Sequence, residues 1–224
     1  MAKRISEHFT EQLAGLKELV LRMGGLAEAM TRRVVQALVQ RDKDLLPEVQ
    51  SMEKQVNQLH IEIDEACLEI IALRQPAAAD LRFIAAAMKI NTDMERIGDQ
   101  AINILEAAED LLSVPPLKPL IDIPRMAEIA QEMLKDALDA FVNGDDELAQ
   151  KTILRDDVVD QLKDQVFREL LTFMAADPST IPRAMDLILV SRHLERIADH
   201  ATNICEDVIF MVKGKDIRHQ GSLA

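Results

Sequence analysis

Tryptophan and tyrosine are absent from this chain of 224 residues, and aromatic residues make up only 3% of it. Sheets draw on aromatic and β-branched side chains, so an all-β architecture lacks its usual material here. Seven glycines serve the whole chain, and none forms a P-loop or a glycine-rich dinucleotide turn, which argues against a nucleotide-binding α/β fold. There are two cysteines, Cys67 and Cys205. Each lies within an apolar helical stripe without a plausible catalytic histidine, so both are expected to be buried structural thiols. No apolar stretch is long enough to span a bilayer, and the first ten residues carry no hydrophobic segment of the signal-peptide kind. A cytoplasmic location is expected.

Positive charge is also scarce. Lys and Arg number 26 against 39 Asp and Glu, a formal net charge of −13, and no Lys/Arg run occurs. Such a chain repels a phosphate backbone, so direct nucleic-acid binding is not expected. An acidic surplus suits divalent cations and basic protein surfaces instead. What is abundant is Ala, Leu, Met, Glu, Gln, Arg and Lys, residues that lose little side-chain freedom in a helix. The expected class is all-α.

Periodicity divides the chain. Leu13, Leu16, Val20, Met23, Ala27, Met30, Val34 and Leu38 recur at helical steps and predict a first helix over 8–40. Val49, Met52, Val56, Leu59, Ile63, Ala66, Ile70 and Leu73 predict a second that stops before Pro76. A third, capped by Asp80, runs to about residue 112. The proline-rich stretch from Ser113 to Pro119 cannot continue a helix. Beyond it, a fourth helix opens at Asp122 and Pro124 and ends at Asn143-Gly144. A fifth starts at Asp145 or Asp146 and carries Val159, Leu162, Val166, Leu170 and Phe173 on one face. A sixth begins near Pro182 and runs to Gly214. The organisation read from this is a first three-helix repeat over 1–113, a linker over 114–120, a second repeat over 121–214 and a mobile tail over 215–224.

The two halves are copies. Residues 90–104 and 190–204 agree at seven of fifteen positions and share Glu-Arg-Ile-x-Asp-x-Ala-x-Asn-Ile. Upstream, 52–59 matches 155–162 at a nearly equal offset. Duplication on this scale predicts two three-helix bundles, six helices in all, related by a pseudo-two-fold axis.

The repeated string holds the candidate site. Glu95 and Asp99 are four apart, so their side chains share one helix face a turn from each other, and Glu195 and Asp199 repeat the arrangement. The second helices offer partners at the same spacing: Glu53 and Asn57 in the first half, Asp156 and Asp160 in the second. Facing helices would gather four oxygen-bearing side chains, tolerable only when a cation neutralises them. The expected cofactor is a divalent or trivalent metal, iron, manganese, magnesium or zinc. The alternative for each acid is an ordinary pairing with Arg96, Arg196 or another neighbouring arginine, or plain solvation. By charge the second set should fill first, because it has four carboxylates where the first has three and Asn57.

No Glu-x-x-His motif of the di-iron bundles is present, nor a His-Glu-x-x-His. His193 and His200 flank the second motif without counterparts, since Asp93 and Gln100 stand in those places, and are read as partly exposed helix residues rather than ligands. Two functions of different class follow. One is a non-enzymatic regulatory adaptor with metal-dependent structure; the other is a carboxylate-bridged metalloenzyme, a hydrolase or oxidase. An enzyme would need a water-activating base beside an open coordination position, and these motifs offer carboxylates and amides only.

Arg74-Gln-Pro-Ala-Ala-Ala-Asp-Leu-Arg82, the doubled Glu-Arg-Ile-x-Asp and the closing Val212-Lys-Gly-Lys-Asp-Ile-Arg-His219 resemble the PhoU family, accessory proteins of the phosphate-specific transport system. The likeness extends over nearly the whole chain. It implies two three-helix bundles, a metal cluster held by the paired acidic motifs of each, and no catalysis. It further implies repression of phosphate uptake and of the phosphate-starvation response, through contact with the transporter's ATPase subunit and a membrane sensor histidine kinase. Association with the membrane is expected only through those partners, and a homodimer is expected. Asn57 departs from the pattern, which has an acid there.

Overall fold

The computed structural model describes residues 2–217, with side chains from His8 onward. Seven α-helices and two short 3₁₀ turns make up its regular structure. Helix α1 spans Ala2–Gln40, α2 Leu46–Arg74 and α3 Ala78–Ser113; after the linker come α4 Asp122–Asn143, α5 Asp146–Ile153, α6 Asp156–Ala176 and α7 Ile181–Lys213. The six-helix plan is preserved, with α1, α2 and α3 answered by α4, the α5–α6 pair and α7.

The ends follow from local chemistry. Arg41 and Gln75 both adopt positive φ, at 56° and 47°, and turn the chain out of α1 and α2. Pro76 then bars continuation of α2. Gly144 and Gly214 take the left-handed conformation that closes α4 and α7. The expected cap at Asp80 is not made. Helix α3 starts three residues earlier, with Ala77 at the cap position, and Asp80 lies within the first turn, where its charge still faces the positive helix end.

The fifth helix is not continuous. It breaks at Leu154 and Arg155, where the Arg155 amide bonds to the Thr152 carbonyl at 3.0 Å in a tighter turn. The Arg155 guanidinium explains the break, because it reaches back to α4, donating to Asp136 at 3.0 Å and to Glu132. Helical continuation would carry that side chain off its two carboxylates. Period alone contains no trace of this, since the apolar stripe resumes in phase at Val159.

The predicted stripes form the core. Leu16, Val20, Met23, Ala27, Met30 and Val34 of α1 are fully covered, as are Val49, Val56, Leu59 and Ile63 of α2 and Val159 and Leu170 of α6. Two positions are exceptions: Leu73, near the end of α2, remains 64% exposed, and Phe173 of α6 is only half-buried and lies outside the core. Both cysteines are buried in this core, and burial pushes the thiols of Cys67 and Cys205 up to about 12. At neutral pH they are unreactive thiols.

The repeats share one core. Helix α3 lies along α7, and α1 packs on α4. Phe83 of α3 stacks on Phe141 of α4 with ring centroids 5.1 Å apart. Lys17 of α1 sits over Phe83 at 5.3 Å and donates to the Val142 carbonyl at 3.1 Å. The proline-rich segment is clamped rather than loose. Arg41 donates to the carbonyls of Leu111 and Leu112, both at 3.3 Å, satisfying orphan acceptors at the end of α3. Arg183 holds the Pro115 carbonyl at 3.1 Å, and Lys118 pairs with Glu169. The expected mobility of 215–224 concerns residues that, from 218 on, lie outside those described.

Candidate metal-binding faces and the seam between repeats

In the second half, Asp156 and Asp160 of α6 lie near enough to Glu195 and Asp199 of α7 for their charges to interact. Their proximity is visible in their protonation. Burial and then the charges of Asp199, Asp160 and Glu195 push the Asp156 carboxyl up to about 6. Asp199 is also raised, by burial first and then by Glu195 and Asp160, with His200 and Lys163 opposing. One cation is built into this face. Lys163 of α6 donates to Asp160 at 2.8 Å and to Glu195 at 3.1 Å, bridging the two helices. Those bonds, the one to Asp160 foremost, raise the affinity of Lys163 for its proton.

The first half is similar but weaker in charge. Asn57 spends an amide N–H on Glu53, one turn back on its own helix, at 2.8 Å. Burial and then the charge of Glu53 raise the Asp99 carboxyl, so the α2 and α3 motifs do face each other. Glu95 lies half-buried one turn before Asp99. The repeat counterpart of Lys163 is His60, which lies 3.8 Å from Asp64, away from the motif. Lys163 therefore cancels the one-charge lead that the second set holds on paper, and removes the charge argument for its filling first.

Among the described residues no three His, Cys, Asp or Glu side chains are drawn tightly enough to form a coordination shell. The donors are hard oxygens, with more carboxylate than resident cation to balance it, and an Asp156 carboxyl held near 6 is one that a cation would relieve. In chemical type these residues fit a hard or borderline metal ion. In the second half, its entry requires Lys163 to give up its two acceptors.

The histidines are partly exposed helix residues, as expected, and they also bond across the two repeats. His200 donates from Nδ1 to the buried carboxylate of Asp93 at 2.8 Å, joined there by the Asn203 amide at 3.3 Å. A carboxylate only accepts, so the proton is on Nδ1. His193 makes the matching contact to Oε1 of Gln100, also at 2.8 Å. Positions 93 and 193 are equivalent in the repeats, as are 100 and 200. The two bonds are thus one contact made twice across the pseudo-two-fold, each from α7 to α3. Burial, then Arg196 and Arg192, lower the proton affinity of His193 and keep it neutral. Lys89 extends the seam with a 3.1 Å bond to Asp207, which is 2% exposed, and lies over Phe210 at 5.0 Å. Neither histidine has a counterpart at its own repeat position. The signal lay instead in the crossed pairs, 93 with 200 and 100 with 193.

Two duplicated three-helix units, fused along a polar-bolted seam and bearing acidic faces, define an all-helical tandem-repeat protein. The model of the PhoU domain matches the chain twice, over residues 20–108 and 123–208. The phosphate-specific transport system accessory protein PhoU homologue of Pseudomonas putida is 39% identical over 222 residues, covering 99% of this chain and 87% of its own. The crystal structure of PhoU from Pseudomonas aeruginosa superposes with a TM-score of 0.88 at 38% identity, covering 92% of this chain and 100% of that one. That of the phosphate transport system regulatory protein PhoU from Streptococcus pneumoniae gives 0.85 at 27%, covering 93% and 98%. This chain belongs to the PhoU family. Its relatives are named as accessory and regulatory proteins of phosphate transport, and it is non-enzymatic in the same sense.

Proposed function

We propose that this protein represses phosphate uptake and the phosphate-starvation response when phosphate is ample, acting in the cytoplasm on the phosphate transporter's ATPase subunit and on a membrane sensor histidine kinase. The observation that carries the reading is the duplicated pair of acidic faces on a rigid two-repeat frame, in a chain of this family. Acidic faces attract basic protein surfaces. No described helix is long and apolar enough to cross a membrane, which fits contact with the bilayer through partners alone. The working unit in this reading is a homodimer, without direct contact to nucleic acid. A pull-down from phosphate-replete and phosphate-starved cells is the test. The ATPase subunit and a sensor kinase should co-purify; recovery of neither in either condition overturns the proposal.

Metal belongs to the same proposal as a structural element. Asp156, Asp160, Glu195 and Asp199 would hold it in the second half, and Glu53, Asn57, Glu95 and Asp99 in the first, with iron, manganese, magnesium or zinc as the ion. Its contribution is positive charge that draws facing helices together. Replacing Glu195 and Asp199 together by Ala should strip at least half of the bound metal while the bundle stays folded on its apolar stripes. Elemental analysis of purified protein reads this directly, and unchanged metal content would refute the assignment.

A further inference from the structure

A polar groove of about 560 Å³ opens where α3 and α7 run together, lined by residues of both repeats. Arg96 enters it from α3 and Arg196 from α7. These are equivalent positions in the duplicated Glu-Arg-Ile-x-Asp string, so the pseudo-two-fold places one guanidinium from each half on the same opening. Neither forms an ion pair within the described residues, although the chain has thirteen more acidic than basic residues. Most other arginines here are spent on acceptors: Arg33 on Glu48, Arg41 on α3 carbonyls, Arg74 on Gln12, Arg82 on Met211 and Arg155 on α4. His200 and Asn203 also line the groove, and their bonds to Asp93 hold that wall rigid.

Thr202 supplies an independent observation. It lines the groove, and its hydroxyl oxygen is buried with no hydrogen-bond partner among the described residues. Threonine in a helix divides between two χ1 rotamers, so a rotamer change moves the hydroxyl and presents a donor. The groove thus offers two planar guanidinium forks and one hydroxyl able to donate, a donor-rich set matched to a tetrahedral oxyanion. Asp199 is the one carboxylate in the lining. A carboxylate repels an anion that has no proton but accepts a hydrogen bond from one that has. Phosphate retains a proton at neutral pH, and sulfate does not.

We infer that the groove between the repeats, with Arg96 and Arg196 as its two arms, binds a phosphoryl oxyanion and selects it over sulfate through Asp199. Free orthophosphate and a phosphorylated side chain present this same chemistry. The inference gives the proposed phosphate regulator a place to read phosphate, and its regulatory meaning rests on that reading; the binding chemistry does not.

The test is titration of the intact protein with inorganic phosphate, followed by calorimetry or amide chemical shifts. A chelator is present throughout, so that phosphate bridging to a metal on the acidic faces is excluded. Saturable binding is expected, weakened about tenfold by Arg96→Ala or by Arg196→Ala and lost in the double variant. Both side chains are exposed, so helicity should be unchanged. Sulfate at matched ionic strength should bind at least about tenfold more weakly, and Asp199→Asn should narrow that gap. Phosphoserine in a parallel arm identifies the source: weaker binding than orthophosphate assigns the free anion, and equal binding assigns a phosphorylated side chain, both supporting the site. Absence of saturation at tens of millimolar, binding retained in the double variant, or equal affinity for sulfate overturns it. None of these outcomes bears on the pull-down, so the adaptor reading stands or falls separately.

Discussion

Phe141→Ala should lower the stability of the whole molecule by about 3–5 kcal/mol and leave a single unfolding transition at lower denaturant. The Phe141 ring is 1% exposed and is the largest fully buried side chain among the described residues. It belongs to α4 but stacks on Phe83 of α3, so truncation removes contacts from both repeats together. Collapse around the void is restricted, because Lys17 is held against the facing Phe83 ring and against the Val142 carbonyl. Urea unfolding followed by circular dichroism reads both quantities. Two resolved transitions, with the first repeat unaffected by the substitution, would mean that the halves are independent bundles and that the shared core does not couple them.

Asp156→Asn should stabilise the metal-free protein at pH 7 by about 2 kcal/mol, although it removes a charge from the candidate metal face. The direction follows from the proton balance. An unfolded Asp loses its proton near its ordinary 3.8, whereas burial and the surrounding carboxylates keep that of folded Asp156 until about 6. Between those values the folded state binds more protons, so stability falls as pH rises through the window and the full penalty is present above it. Asp199 and Asp99 shift in the same direction and add to the slope. Asparagine has nothing to ionise, so the variant's stability should be flatter across this range. A divalent ion should reverse the ranking, since it relieves the native carboxylate and gains less from the amide. Thermal melts from pH 4 to 8 in chelator, then with added metal, check both arms. Loss of stability in the variant under chelator would show that Asp156 is held by partners rather than crowded by like charges.

The acidic faces show how far chain order can be read as chemistry. The four-residue spacing places Glu95 with Asp99 and Glu195 with Asp199 on one face whatever else the chain does, because it is a property of the helix itself. That α2 and α6 bring Glu53, Asp156 and Asp160 opposite them follows from the duplication and short connections. Lys163 was not legible. It is one charged residue among many on a helix surface, and only the approach of α7 makes it a bridge between Asp160 and Glu195.

By itself the sequence determined the helical class, the duplication, the stripes that became the core and the acidic pairs. Each of these is recorded in spacings of a few residues or in repetition, and a helix converts spacing directly into shared faces. The tertiary structure alone decided the break at Arg155, the crossed Asp93–His200 and His193–Gln100 bonds, the clamped linker and the meeting of Arg96 with Arg196 in one groove. These depend on how residues distant along the chain approach, and that approach is set by the packing of whole helices. A side chain's nearest partner across the seam leaves no period in the sequence, so the contacts that unite the two repeats become visible only once the core has brought them together.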